Sequence, residues 1–183
     1  MTFYSAVELF VEESCAKHGT PGDLSHARLT VEWIRKLKPD ASDALLIAGI
    51  SHDIERVFNG DWKKGTDNPE ALKKHQDMSA EIVRAFLSEH GMDRTRTGEV
   101  VSLISHHEDG GPGDAAVLCD ADSLAYIEER GIRNVQRSLE NGGSSISAIK
   151  RLNYVVSRLS TPEAKAFAKP WHDEAIRIVN ERE

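Results

Sequence analysis

A chain of 183 residues can bury one sizeable core and is too short for two ordinary domains, so a single domain over 1–183 is expected. Its 23 basic and 30 acidic residues leave a formal charge of −7, which gives no general attraction to a polyphosphate backbone and argues against a nucleic-acid polymer as partner. Cys15 and Cys119, both inside apolar helical patterns, do not indicate a disulfide framework, and no apolar run approaches the length of a membrane span.

Residues Met1 to Glu8 carry no basic stretch followed by an apolar one, so a soluble cytoplasmic protein is expected. Apolar residues recur at helical spacing throughout, and no segment sustains a two-residue alternation; the expected fold class is all-α. A first helix should run from about Phe3 to Ala16, with Phe3, Val7, Phe10 and Val11 inward, and stop at His18-Gly19-Thr20-Pro21-Gly22. A second starts near Asp23 or Ser25 and runs to Leu37, where Pro39 closes it. Asp40 or Ser42 can cap a third, whose apolar residues from Ala44 to Ile50 occupy nearly every face. That is the pattern of a central buried helix, and it delivers His52 and Asp53 at its C-terminal end.

From Val57 to Pro69 the chain reads as too irregular for a helix and longer than an ordinary connection, which makes this stretch a candidate substrate lid. Helices are then expected over about Glu70 to His90, Arg94 to His107 and Asp114 to Arg130. On these, His75 and Ser79 share one side, as do Asp122 and Tyr126. Beyond Gly131 the apolar pattern continues through Ile132, Val135 and Leu139, breaks at Asn141-Gly142-Gly143, and resumes from Ile146 to Leu159. A last helix begins near Pro162, which a first turn admits, and Pro170 should kink or break it.

The chemistry gathers around the pair His52-Asp53. An ionisable pair abutting so apolar a helix must be paired or metal-bound if it is buried. The bland alternative is a helix-end histidine interacting with the helix dipole. Around the pair stand His26, His75, the doublet His106-His107 and Asp122. Neutral imidazole and ionised carboxylate suit Fe, Mn, Zn, Co or Ni, and the absence of cysteine from the series argues against a structural thiolate zinc site.

In its order, His, His-Asp, His, His-His, Asp, the series resembles the HD-domain superfamily of metal-dependent phosphohydrolases, over roughly Ser25 to Glu128. The resemblance implies an HD-domain helical bundle whose ligand-bearing core covers about 25–128, with the C-terminal helices packed on it. It implies one or two divalent transition metal ions and hydrolysis of a small phosphorylated substrate, with a nucleotide as the expected class. His26, His52, Asp53 and Asp122 match the mononuclear ligand set. His75, His106 and His107 match the further ligands of dinuclear members, in which Asp53 would bridge the ions and be catalytic by holding them. Members with a similar dinuclear set that use two irons and dioxygen imply an alternative, a mixed-valent di-iron oxygenase. A non-catalytic, metal-stabilised binding module is a third reading.

Departures and ambiguities qualify the match. Cyclic-dinucleotide members carry Gly-Tyr-Pro after the doublet, whereas this loop reads Gly110-Gly111-Pro112-Gly113-Asp114, so that substrate is not carried over. Arg56 occupies the place of a basic residue that meets substrate phosphate, a task suited to forked donors. Lys63 and Lys64, in the lid candidate, could add charge to the substrate site. Glu55 replaces the small glycine usual in the family. Neighbours on a helix point about 100° apart, so His106 and His107 can both bind only if the helix ends there. Asp120 and Asp122 compete for the last ligand role, and the Ala-Asp-x-Leu pattern selects Asp122.

Overall fold

Helix starts fall where a small polar side chain takes an orphan backbone N–H: Thr2, Ser42, Asn68, Asp93, Ser144 and Thr161 each accept one in the first turn that follows. The structure, a computed structural model, describes residues 2–60 and 68–182. In chain order the helices are α1 (Phe3–His18), α2 (Pro21–Leu37), α3 (Asp43–Ser51), α4 (Ile54–Asn59), α5 (Pro69–Glu89) and α6 (Arg94–Ile104). There follow α7 (Asp114–Tyr126), a π-helical turn (Ile127–Gly131), α8 (Ile132–Glu140), α9 (Ser145–Arg158) and α10 (Pro162–Asn180). Among the described residues there is no strand, and the fold is all-α. None of the described helices is long and apolar enough to cross a membrane.

The all-round apolar helix α3 lies in the middle, packed by α1, α2 and α6, with Leu45, Ile47, Ala48 and Ile50 buried. Gly49 faces α2 closely, and a Cβ there would force the end of the Ile34 side chain to shift. That close approach brings His26 of α2 towards His52. Helix α7 packs along α2 on the other side, while α5 packs on α6 and α4. The C-terminal helices α9 and α10 both contact α7.

Three expectations need correction. Val57, Phe58 and Asn59 are helical, because Ile54 and Val57, three apart, both find buried positions and support one short helix; Gly60 ends it with φ 75°. At the other end of the lid candidate Asn68 caps α5 and Pro69 begins it, while 61–67, with Lys63 and Lys64, lie outside the described residues. The sixth expected helix does not stop near Arg130. It passes through the π turn into α8, and Gly131 keeps helical dihedrals because its missing side chain leaves room for Leu152 of α9. Finally, α10 runs unbroken through Pro170. Pro170 and Ala166, whose carbonyl loses its helical partner, are both exposed, so water can satisfy that group.

Candidate metal centre

Six positions along the chain deliver side chains to one buried cluster. His26 comes from α2, His52 from the end of α3, Asp53 from the α3–α4 junction, His75 from α5, His107 from the turn after α6, and Asp122 from α7. All are buried, His52 and His107 completely.

Their donor atoms form two overlapping trios that share Asp53: His26, His52 and Asp53, and Asp53, His75 and His107, with the ligand atoms of each trio within 4.8 Å of one another. Asp53 Oδ1 lies 2.7 Å from His75 Nε2 and 3.6 Å from His107 Nε2, while Oδ2 is 3.7 Å from His52 Nε2. Asp122 Oδ1 closes the first trio, 3.0 Å from His26 Nε2 and 3.5 Å from His52 Nε2.

The far sides of two rings fix their tautomers, and a carboxylate backs a third. His52 Nδ1 is 2.9 Å from the Gly49 carbonyl and His107 Nδ1 is 2.8 Å from that of Ile104; a carbonyl only accepts, so each Nδ1 carries the proton. His75 Nδ1 is 2.8 Å from Glu55 Oε2, the carboxylate–histidine arrangement that supports metal-bound imidazole. The Nε2 atoms of these rings therefore face the cluster. Those of His52 and His107 are buried with no hydrogen-bond partner among the described residues. Buried polar atoms are rarely left so, and a cation held by each trio would satisfy the one that belongs to it. The residues thus fit a divalent ion.

The charges point the same way. Burial opposes a charge on His52, yet Asp53 and then Asp122 outweigh it and push the pKa up to about 9. On His75 burial is likewise overcome, chiefly by Asp53. Burial would raise the Asp53 carboxyl, but Arg56, His52 and the other rings hold it well below the usual range. Asp122 is held low against burial by His26, His52 and Arg158. Cations are favoured beside both carboxylates, and an ion binding at Nε2 would displace a proton.

Of the expected site residues, His106 does not join the cluster. Helix α6 ends at Ile104; His106 remains exposed with Nδ1 on the Ser102 carbonyl, whereas Gln76 Oε1 accepts from Glu108 N at 3.1 Å and holds the turn that carries His107 inward. Asp120 points away from Asp122 and accepts from the backbone N–H groups of Ser160 (2.7 Å) and Thr161 (3.0 Å). Arg56 lies at the edge of the cluster, a quarter exposed, with Nη1 2.5 Å from Asp53 Oδ2 and Nη2 3.8 Å from Glu108 Oε1. Glu55 does not merely fill space but is buried behind His75.

Two residues escaped the sequence reading. Glu108 and Arg158 form a buried pair, Glu108 Oε2 to Arg158 Nη1 at 3.1 Å, beside Asp122. The available signal was positional, since Arg158 follows Val155 by three residues and so lies on the apolar face of α9.

The family model described as HD domain matches residues 24–127, more than half of the chain. No curated protein and no solved structure matches.

Proposed function

Because the chain belongs to the HD domain family, a superfamily of metal-dependent phosphohydrolases, we propose that it hydrolyses a small phosphoester, with a nucleotide as the substrate class. The observation that carries this reading is the pair of trios sharing Asp53. In this reading His26, His52, Asp53 and Asp122 hold one divalent ion, and Asp53, His75 and His107 hold a second. Such ions supply an activated water and neutralise charge on the phosphoryl oxygens.

The protein's own groups then have distinct tasks. Asp53 faces both trios and is paired with Arg56, so it holds ions and is not a free base. Glu55 and the Gly49 and Ile104 carbonyls keep the Nδ1 protons of His75, His52 and His107 in place and so keep each Nε2 free to bind. Arg56, at the partly exposed edge, offers a guanidinium for substrate phosphate, and the charge it shares with Asp53 keeps it beside the ions. Lys63 and Lys64 would add charge from the segment that precedes α5.

The test is inorganic phosphate release from a panel of nucleoside mono-, di- and triphosphates by protein loaded with Mn2+, Co2+ or Fe2+. Metal-dependent release from some member of the panel is expected. No release, together with oxygen consumption by the iron-loaded protein, would replace hydrolysis with the di-iron oxygenase reading.

A further inference from the structure

We propose that Arg158, outside the matched family segment, is a positioning residue of the metal centre: its guanidinium holds Asp122 and His107 from behind, so that their donor atoms face the cluster. The inference rests on the metal-centre reading above.

The contacts of this one side chain motivate it. Arg158 Nη2 donates to Asp122 Oδ2 at 3.1 Å and to the His107 carbonyl at 3.1 Å, and Nη1 lies 3.1 Å from Glu108 Oε2. With Oδ2 held from behind, the other oxygen of Asp122 is the one that faces His26 and His52. With its carbonyl held, the His107 peptide is fixed at the turn where the chain must present His107 inward and His106 outward. Only a planar fork with several donors can meet a carboxylate, a second carboxylate and a carbonyl together. The side chain is 8% exposed and enclosed by these partners, so it acts through Asp122 and His107 and not on substrate.

The fold also fixes where Arg158 stands. It is the last residue of α9, and the two residues that lead into the next helix, Ser160 and its N-cap Thr161, give their N–H groups to Asp120. Asp120 and Asp122 are two apart on α7 and point to different sides. One clasps the α9–α10 junction, and the other receives the arginine that the junction carries. This links the C-terminal helices to the ligand cluster through a defined pair of contacts.

Electrostatics add to the geometry. Asp122 and Glu108 are both buried, and Arg158 is a charge partner to each. A lysine at 158 keeps the positive charge but loses the fork, so it isolates the positioning role from the simple presence of charge.

The experiment is Co2+ titration of the metal-free full chain, wild type against Arg158→Lys and Arg158→Gln, followed by visible absorption of the bound Co2+ and by thermal melting of each metal-free protein. The expected result is Co2+ binding weakened about 10- to 100-fold in Arg158→Gln and about 10-fold in Arg158→Lys, in the range found when an outer partner of a metal ligand is lost. The Co2+ spectrum should change in both. Should Arg158→Gln fail to fold, Arg158→Lys decides the matter alone. A folded Arg158→Lys protein with wild-type affinity and spectrum overturns the proposal, as does one whose melting temperature falls while affinity and spectrum stay the same, since that is a structural role only. A wild-type protein that binds no Co2+ refutes the metal-centre reading itself and removes the ground of this inference.

Discussion

Asp120→Ala should lower stability sharply, and the structure sets the size of the effect. The Asp120 carboxylate is fully buried and accepts four hydrogen bonds, from Ser160 N at 2.7 Å, Thr161 N at 3.0 Å, Thr161 Oγ1 at 2.6 Å and Ser160 Oγ at 3.2 Å. Ser160 is exposed and Thr161 partly so, which lets water replace the hydroxyl contacts. The two backbone N–H groups are the larger loss, at about 1–3 kcal/mol for each donor left without its partner. Relief from holding a carboxylate out of water offsets part of this, so a net cost of about 2–4 kcal/mol is expected. For a chain of this length each kcal/mol shifts the melting temperature by about 2–4 °C, giving a drop of about 4–16 °C. Thermal melting followed by circular dichroism measures it directly. A melting temperature within about 2 °C of wild type would refute the argument that this carboxylate clasps the α9–α10 junction.

Other substitutions separate the roles around the cluster. Asp53→Ala removes the residue common to both trios and should abolish bound metal and phosphoester turnover, as read by elemental analysis and phosphate release. His106→Ala should leave metal content unchanged and stability within about 0.5 kcal/mol, because the side chain is exposed, whereas His107→Ala should lower metal content. Burial pushes the Cys119 thiol up to about 11 and also raises that of Cys15, so neither should react readily with a thiol reagent at pH 8 until the protein is unfolded. Fast labelling of the native protein would contradict that environment.

Helical periodicity made the all-α class legible, and the identity of the central helix followed from the unbroken apolar run of Ala44 to Ile50. The ligand series was legible as a pattern of residue types, but periodicity could not tell which member of a doublet turns inward. His106 and His107 part because α6 ends at Ile104, three residues earlier than the pattern suggests, and a contact from Gln76 holds the turn. Local preference ends the sixth helix near Arg130, just before Gly131, and kinks or breaks the last at Pro170. Tertiary packing overrode the first, where α9 needs the space, and solvent exposure tolerated the second. Arg158 and Glu108 were hidden for a different reason: each looks like an ordinary surface charge until the fold pairs them across 50 residues, 108 to 158, beside Asp122.

The most direct test of the central claim is the number of metal ions per chain, measured by elemental analysis on protein purified without chelator, for wild type and for His75→Ala. Two trios sharing Asp53 predict about two ions in the wild type and about one in His75→Ala, where the trio of Asp53, His75 and His107 is broken while that of His26, His52 and Asp53 is intact. One ion in both proteins would contradict the two-ion centre, and none in the wild type after reconstitution with Mn2+, Co2+ or Fe2+ would contradict the metal centre altogether.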